Sequence, residues 1–592
     1  ILLFLGSFRS VIIPVVTIPI SLVGVCFFLF LLGYSINLLS LLAMVLAIGL
    51  VVDDAIVVLE NIHRHIEEGL KPLDASLKGM KEITGPIIAM TITLAAVFAP
   101  LGFTAGLTGA LFREFAFTLA GAVIISGVAA LTVSPMMCAL LLKPGNHSRF
   151  QRIVDRSFGW LEGVYERRVA GSLAFRPVTL LIVIILVALT GFLFTKTASE
   201  LAPEEDGGFL VSLVNAPQYA TTDYTLLYAN QIDALTKDLP ELKARFNIAG
   251  LGTTNSAFAI WVFKDWSQRT KSQKQLQQEL QKMIAPVAGA QAYIFALPTL
   301  PGSGGGLPIS VVLQSTGPSD KVFEIAEEVK RQAQASGKFI VVQNSLSFNA
   351  PQTTVTIDRD RAAALGVPVS DIGQTLGLLV GGGKIAKFDR DSNSYDIIPQ
   401  VPQDFRSNPE SLGQYFVKSA SGDMVPLSAV VKIVQNAAPA AIEQFNQLNS
   451  ATISALPMPG VSTGEGLQTV INTARPLMPD GFFLDYIGQS RLEITQGNTI
   501  LIAFILAVVV IYLVLAAQFE SFRDPFIIMM SVPLSIFGAI VPLNMGLGTL
   551  NIYTQVGLIT LVGLITKHGI LMVEFANQQR ELHGISRHDA SP

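Results

Sequence analysis

The sequence predicts a multi-pass α-helical membrane protein with an inserted α/β region on the far side of the membrane and a pseudo-twofold repeat of its transmembrane helices. Three observations carry that prediction: long unbroken apolar runs, a soluble-looking block between residues 196 and 498, and an internal repeat that needs no gap. Of 592 residues, 51% are hydrophobic and only 14% charged, and mean hydropathy is +0.52. An ordinary soluble protein carries about 25% charged residues. The net charge of −4 argues against nucleic acid as a partner. Cys26 and Cys138 both sit in apolar runs and say nothing about redox compartment.

A spanning helix needs about 20 mostly apolar residues. Candidate spans fall at 11–32, 36–59, 86–108, 115–143, 177–195, 499–517, 525–546 and 551–576, with 1–5 as the stub of another. Lys and Arg crowd 60–85 and 143–176, whereas the turns at 33–35 and 544–549 have none and 109–114 has only Arg113. The positive-inside bias then assigns 6–10, 60–85, 143–176, 518–524 and the carboxyl end to the cytoplasm. The chain opens ILLFLGSFRS, without an initiator Met and already inside an apolar run, and closes on HDASP. The expectation is a fragment of a longer protein.

The resulting division is membrane helices over 1–143, an amphipathic cytoplasmic linker over 144–176, a helix over 177–195, a far-side block over 196–498, further helices over 499–576, and a cytoplasmic end over 577–592. Within the block, β-branched runs such as FLVSLV, ISVVLQ and TTVTID alternate with amphipathic runs such as KSQKQLQQELQKMI. Strand–helix–strand units of that length predict ferredoxin-like split βαβ subdomains, with PGSGGGLP at 301–308 marking a boundary between two of them. GGGK at 381–384 lacks both the upstream Gly and the following Ser or Thr of a phosphate loop.

A shift of 514 residues aligns Ser7-Phe8-Arg9 with Ser521-Phe522-Arg523, and pairs Pro19 with Pro533, Asn37 with Asn551, Gly49 with Gly563 and Glu60 with Glu574. Two helical hairpins are thus built on one plan, in the same orientation, as in transporters with parallel repeats. The same shift sets Asp53 opposite Lys567 and Asp54 opposite His568. An ionised Asp in mid-bilayer costs roughly 2.5–3.5 kcal/mol on insertion scales. Facing an ammonium lowers that cost, and two carboxylates beside one lysine leave an excess acid that should take up a proton. A static ion pair fastening two helices is the structural alternative. His568 reads equally as a packing residue, and Glu60 and Glu574 lie near cytoplasmic helix ends where a charge is ordinary. Pro14, Pro19, Pro135 and Pro533 are candidate hinges or ordinary membrane prolines.

With these residues in view, the chain resembles the resistance-nodulation-division (RND) transporters, in their hydrophobe/amphiphile efflux branch. GLVVDDAIVVLENI at 49–62 is similar to that family's fourth transmembrane helix, and GLITKHGILMVEFA at 563–576 to its tenth. LAPEEDGGFLV, FKDWSQR, IDRDRAAALGV, DMVPLSAV and PGVSTGEGL resemble landmarks of the porter and docking regions. The resemblance implies a homotrimeric proton/drug antiporter of the Gram-negative inner membrane. It implies export of amphiphilic drugs, contact with membrane lipid, a periplasmic adaptor and an outer-membrane channel as partners, and no cofactor beyond the proton gradient. Carried over by position, Asp53, Asp54 and Lys567 would form the proton relay. The family's relay groups on its eleventh helix have no counterpart here, nor do its first helix and amino-terminal porter segments.

A Gly-rich switch loop with aromatics lines the family's drug pocket, and the matching stretch is Phe246–Asn255. That makes Phe246, Gly250, Leu251, Thr253, Phe258 and Trp261 candidates for the substrate pathway, with porter-core packing as the alternative for each aromatic. Two rival functions remain. A copper or silver exporter would need soft ligands, and the block offers only Met283, Met424, Met458 and Met478, widely scattered. A non-transporting lipid-sensing scaffold on the same helices would be indifferent to neutralising Asp53. No nucleophile–base spacing or metal-ligand motif points to an enzyme.

Overall fold

The structure is a computed structural model that describes residues 8–142, 149–300, 302, 304 and 306–583. The stub at 1–5, Ser7, Lys143, three positions of the 301–308 boundary and the closing HDASP lie outside the described residues. Six helices come first: α1 (Phe8–Leu31), α2 (Leu38–Glu67), α3 (Pro72–Gly102), α4 (Gly106–Leu141), α5 (Arg149–Ala174) and α6 (Arg176–Lys196). Eight helices among the described residues are long and apolar enough to cross a membrane. The chain is a multi-pass membrane protein.

Helix ends depart from the expected spans for local reasons. Basic residues at 60–85 suggested a loop, yet α2 runs on to Glu67 and α3 begins at Pro72. Gly69, at φ 99°, stops α2, and Pro72 opens α3 in the first turn, where its missing N–H is harmless. The turn expected at 109–114 lies earlier, at 103–105, so Arg113 belongs to α4.

The extramembrane block holds two units of one topology. In the first, β1 (Phe209–Asn215), α7 (Thr222–Thr236), β2 (Leu242–Ala249), β3 (Ser256–Phe263), α8 (Gln273–Ile284) and β4 (Gln291–Phe295) make an antiparallel sheet of order β2-β3-β1-β4. This is the ferredoxin-like split βαβ arrangement. The second unit repeats it with β5 (Ile309–Ser315), α9 (Ser319–Ala335) and β6 (Phe339–Asn344). Its second half comes after an insertion.

The insertion carries β7 (Ala350–Ile357), α10 (Arg359–Ala364), α11 (Val369–Leu379), β8 (Ala386–Arg390), β9 (Asn393–Ile397), β10 (Phe416–Lys418), β11 (Met424–Pro426) and β12 (Val431–Ala438). It has its own small core around Ile372, Val417 and Leu427. The chain then returns through β13 (Glu443–Phe445), β14 (Leu448–Pro457), α12 (Thr463–Ala474) and β15 (Phe482–Tyr486), so that β6 and β5 both pair with β14 and β5 pairs with β15. A mixed apolar cluster of Val211, Phe295, Val341 and Leu456 joins the two units.

The second membrane set is α13 (Gly488–Gln518), α14 (Arg523–Met529), α15 (Ser531–Pro542) and α16 (Ile552–His583). The span expected at 525–546 is broken at Met530, three residues before Pro533. The repeat shows in detail at the starts of α2 and α16. Asn37 Oδ1 accepts from the amides of Leu39 and Ser40 while Ser40 Oγ accepts from Asn37 N at 2.8 Å. Residues 514 positions later do the same: Asn551 Oδ1 accepts from Tyr553 and Thr554, and Thr554 Oγ1 accepts from Asn551 N at 2.8 Å. Both ends are reciprocally capped, which satisfies amides that would otherwise lack partners.

Two covalent routes tie the block to the membrane helices. β15 runs almost directly into α13, whose Ser490 Oγ accepts from Ser310 N of β5 at 2.9 Å. The strap after α6 pairs with the approach to α16: Leu550 N donates to Ala198 O at 2.8 Å and Glu200 N to Leu550 O at 3.1 Å. Ser199 O on the same strap accepts from Gly464 N of α12.

Candidate functional site: an acid–lysine cluster at the repeat seam

On α2 the buried stripe runs through Ala43, Ala47, Leu50, Asp54, Val58 and Ile62, the spacing of one helix face. The acid therefore points into the bundle. Lys567 sits in mid-α16, one turn after Gly563, where α16 packs on α3. A Cβ built on Gly563 would lie 2.7 Å from Leu94 Cδ1, so a larger residue there would have to displace the Leu94 side chain.

The three charges converge. Lys567 Nζ lies 2.6 Å from Asp54 Oδ1 and 2.8 Å from Asp53 Oδ2. The lysine and Asp54 side chains are 2% and 6% exposed, whereas Asp53 is 37% exposed. Asp54's second oxygen accepts from Ser126 Oγ of α4 at 2.7 Å. Both Asp54 oxygens are thus satisfied, and Asp53 is the accessible member. With all three groups ionised the cluster carries one excess negative charge, and one added proton neutralises it.

Ser126 escaped the sequence reading. A lone hydroxyl in AGAVIISGVAAL has no pattern to distinguish it, and only the packing of α4 on α2 reveals its partner. His568 stands apart: it is exposed and its Nδ1 lies 3.0 Å from Leu564 O, its own helix's preceding turn.

The candidate pathway residues divide by sheet face. Register sets Phe246 opposite Ile260 and Ile248 opposite Phe258, so Phe246 and Phe258 share one face of the first unit's sheet. Phe246 is 56% exposed, Leu251 59%, and Gly250 and Thr253 lie exposed in the β2–β3 turn, where Gly250 adopts φ 80°. Phe258 is half-buried against the inter-unit cluster. Trp261 is a correction: three residues from Phe258, it points to the opposite face and is 2% exposed, its Nε1 donating to Thr236 Oγ1 at 2.9 Å. It is core beneath α7 and α8, closed to a passing ligand.

Two of the motifs noted in the sequence meet at the base of that unit. Asp206, from the PEEDGG stretch, pairs with the guanidinium of Arg269, from FKDWSQR, and accepts from Gln273 N at 2.9 Å and Gly208 N at 3.2 Å. Burial opposes its charge, but these partners outweigh burial and hold its carboxyl below the usual range.

A bundle of membrane helices on one repeated plan, with a charged cluster at the seam and twin split-βαβ units outside it, defines a transporter chain of the RND class. The chain belongs to the AcrB/AcrD/AcrF family, whose model matches residues 1–591. It is 41% identical over its whole length to an uncharacterized transporter of Haemophilus influenzae. It is 33% identical over its whole length to the multidrug/solvent efflux pump membrane transporter MepB of Pseudomonas putida. Over 98% of its length it is 31% identical to the multidrug export protein AcrF of Escherichia coli. It spans 58% of the length of each of these relatives.

Proposed function

We propose that the protein to which this chain belongs exports drugs, solvents and other amphiphilic compounds by proton antiport across a Gram-negative inner membrane. In this reading it acts as a homotrimer within a tripartite pump, with a periplasmic adaptor and an outer-membrane channel. The efflux relatives support the substrate class. The observation that carries the coupling is Lys567 held between Asp53 and Asp54 inside the bundle.

The excess acid gives the site a use beyond fastening. A proton entering at the accessible Asp53 removes the net charge and loosens the hold on Lys567, so α2 and α16 can shift relative to one another. Such a shift has two mechanical outlets, α13 into β15 and the 197–201 strap into α12. The unit faces around Phe246 then open and close in step.

The copper or silver reading finds no support in the thioethers. Met283 packs with the first unit's core and Met478 with the second's, while Met424 is exposed on the insertion. Efflux of dyes, detergents, antibiotics and copper from a pump-deficient host, compared between the full-length protein and its Asp53→Asn variant, tests the proposal. Amphiphile export that survives the substitution at full rate refutes the coupling; copper export alone refutes the substrate class.

A further inference from the structure

Eleven residues on from Asp54, about three turns along the same stripe, α2 buries a histidine at the centre of a second, partly exposed charged cluster. His65 is 3% exposed, and both of its ring nitrogens meet carboxylates: Nδ1 lies 2.8 Å from Glu68 Oε2, and Nε2 lies 2.9 Å from Glu82 Oε2 on α3. The same Glu82 oxygen accepts from Arg64 Nη2 at 3.1 Å and Asn61 Nδ2 at 3.3 Å. Asn61 Nδ2 also reaches Gly79 O at 2.9 Å, where the two helices run close enough that a Cβ on Gly79 would sit 3.2 Å from Ile62.

Ionised carboxylates only accept, so two of them on one imidazole require both ring nitrogens to donate. Where both acids are ionised the ring is therefore the cation, and its place in the last turn of α2 favours positive charge further. Glu68, outside the bundle, is held below the usual glutamate range chiefly by its bond from His65; burial opposes this, and the charges of His65, Lys78 and Arg64 add to the lowering. The charged groups around the ring are thus Arg64 and Glu68 at the end of α2 and Glu82 from α3, with Lys78 of α3 acting on Glu68. Of the other helices packed on α2, α4 adds the buried Cys138 thiol to the shared core, and among the described residues the ring's bonding partners are Glu68 and Glu82.

We propose that His65 is a pH-operated latch fastening the cytoplasmic end of α2 to α3, closed when the ring is protonated and released when it is not. Neutral imidazole keeps one N–H and turns a lone pair toward the other carboxylate, so one of the two bonds becomes a repulsion. The sign follows: the latch is complete at low internal pH and is lost as pH rises. Resting on the antiport reading above, closure restrains the helix that carries Asp53 and Asp54. Protons delivered inward by export then slow further export.

The test reads the latch and its consequence separately in the full-length protein. Solid-state nitrogen-15 NMR of ring-labelled histidine, with His65→Gln as the difference control, should show two protonated nitrogens at about pH 6 and one at about pH 8. Protonation that does not change between the two pH values, whether one nitrogen or both, overturns the latch. In proteoliposomes, lowering the cytoplasmic-side pH over that range should slow the wild type several-fold relative to His65→Gln, and likewise relative to Glu82→Gln. Rate ratios that do not change with pH overturn the regulatory role. The NMR reading needs no transport, so it stands or falls independently of whether Asp53→Asn stops export.

Discussion

Lys567 Nζ and Asp54 Oδ1 stand 2.6 Å apart, although 513 residues separate them in the chain. The contact joins the two halves of the internal repeat inside the membrane bundle.

Removing one partner of a buried pair strands the other charge, at about 3–5 kcal/mol, whereas replacing the set together is often near neutral. Lys567→Met in the full-length protein should therefore lower its unfolding temperature in detergent markedly. Adding Asp53→Asn and Asp54→Asn to it should restore most of the loss, without restoring transport. Thermal unfolding of the single and triple variants checks this.

Ser126→Ala removes a hydrogen bond to a charged acceptor, a contribution of about 1.5–3 kcal/mol. Export should fall several-fold while the protein still assembles, and Ser126→Thr, which keeps the hydroxyl, should recover most of the rate. Initial efflux rates at matched expression decide it.

Trp261 and Phe246 should separate cleanly. Trp261→Ala opens a cavity in the first unit and should cost about 3–5 kcal/mol of stability, depressing export of every substrate through loss of folded protein. Phe246→Ala removes an exposed ring and should leave the unfolding temperature nearly unchanged while altering the relative export of different dyes. A panel of substrates with parallel melting curves gives the comparison.

Glu200, on the strap beyond α6, is pushed above the usual glutamate range, first by burial and then by the charge of Glu204, with the Thr549 hydroxyl and Lys274 opposing. A raised folded value means the native state binds its proton more readily than the unfolded chain does. The resulting stability is present below the unfolded value and is lost as pH rises through the folded one. Glu200→Gln should consequently raise the unfolding temperature at alkaline pH, with the gain vanishing in acid.

Much of this was legible in the sequence, for reasons that can be named. The repeat aligns without gaps, so Asp53 and Lys567, like Asn37 and Asn551, could be matched by position before any geometry was known. Split-βαβ units were readable from strand and helix runs, but the long insertion between β6 and β14 was not, because strand pairing across 103 residues of chain leaves no local signal. Trp261 shows a different failure. Alternation along β3 already put Phe258 and Trp261 on opposite faces, so a strict two-residue period would have separated core from surface. Ser126 and His65 were hidden because each becomes informative only through a carboxylate supplied by other parts of the fold or by the helix end.

The central claim is that export is driven by a proton bound at the Asp53–Asp54–Lys567 cluster. The most direct measurement is dye export by the full-length protein in proteoliposomes under an imposed pH gradient, with proton flux recorded at the same time. The wild type should move dye and protons together, and Asp53→Asn/Asp54→Asn should move neither. Wild-type dye export by the double variant, with or without proton flux, would contradict the account.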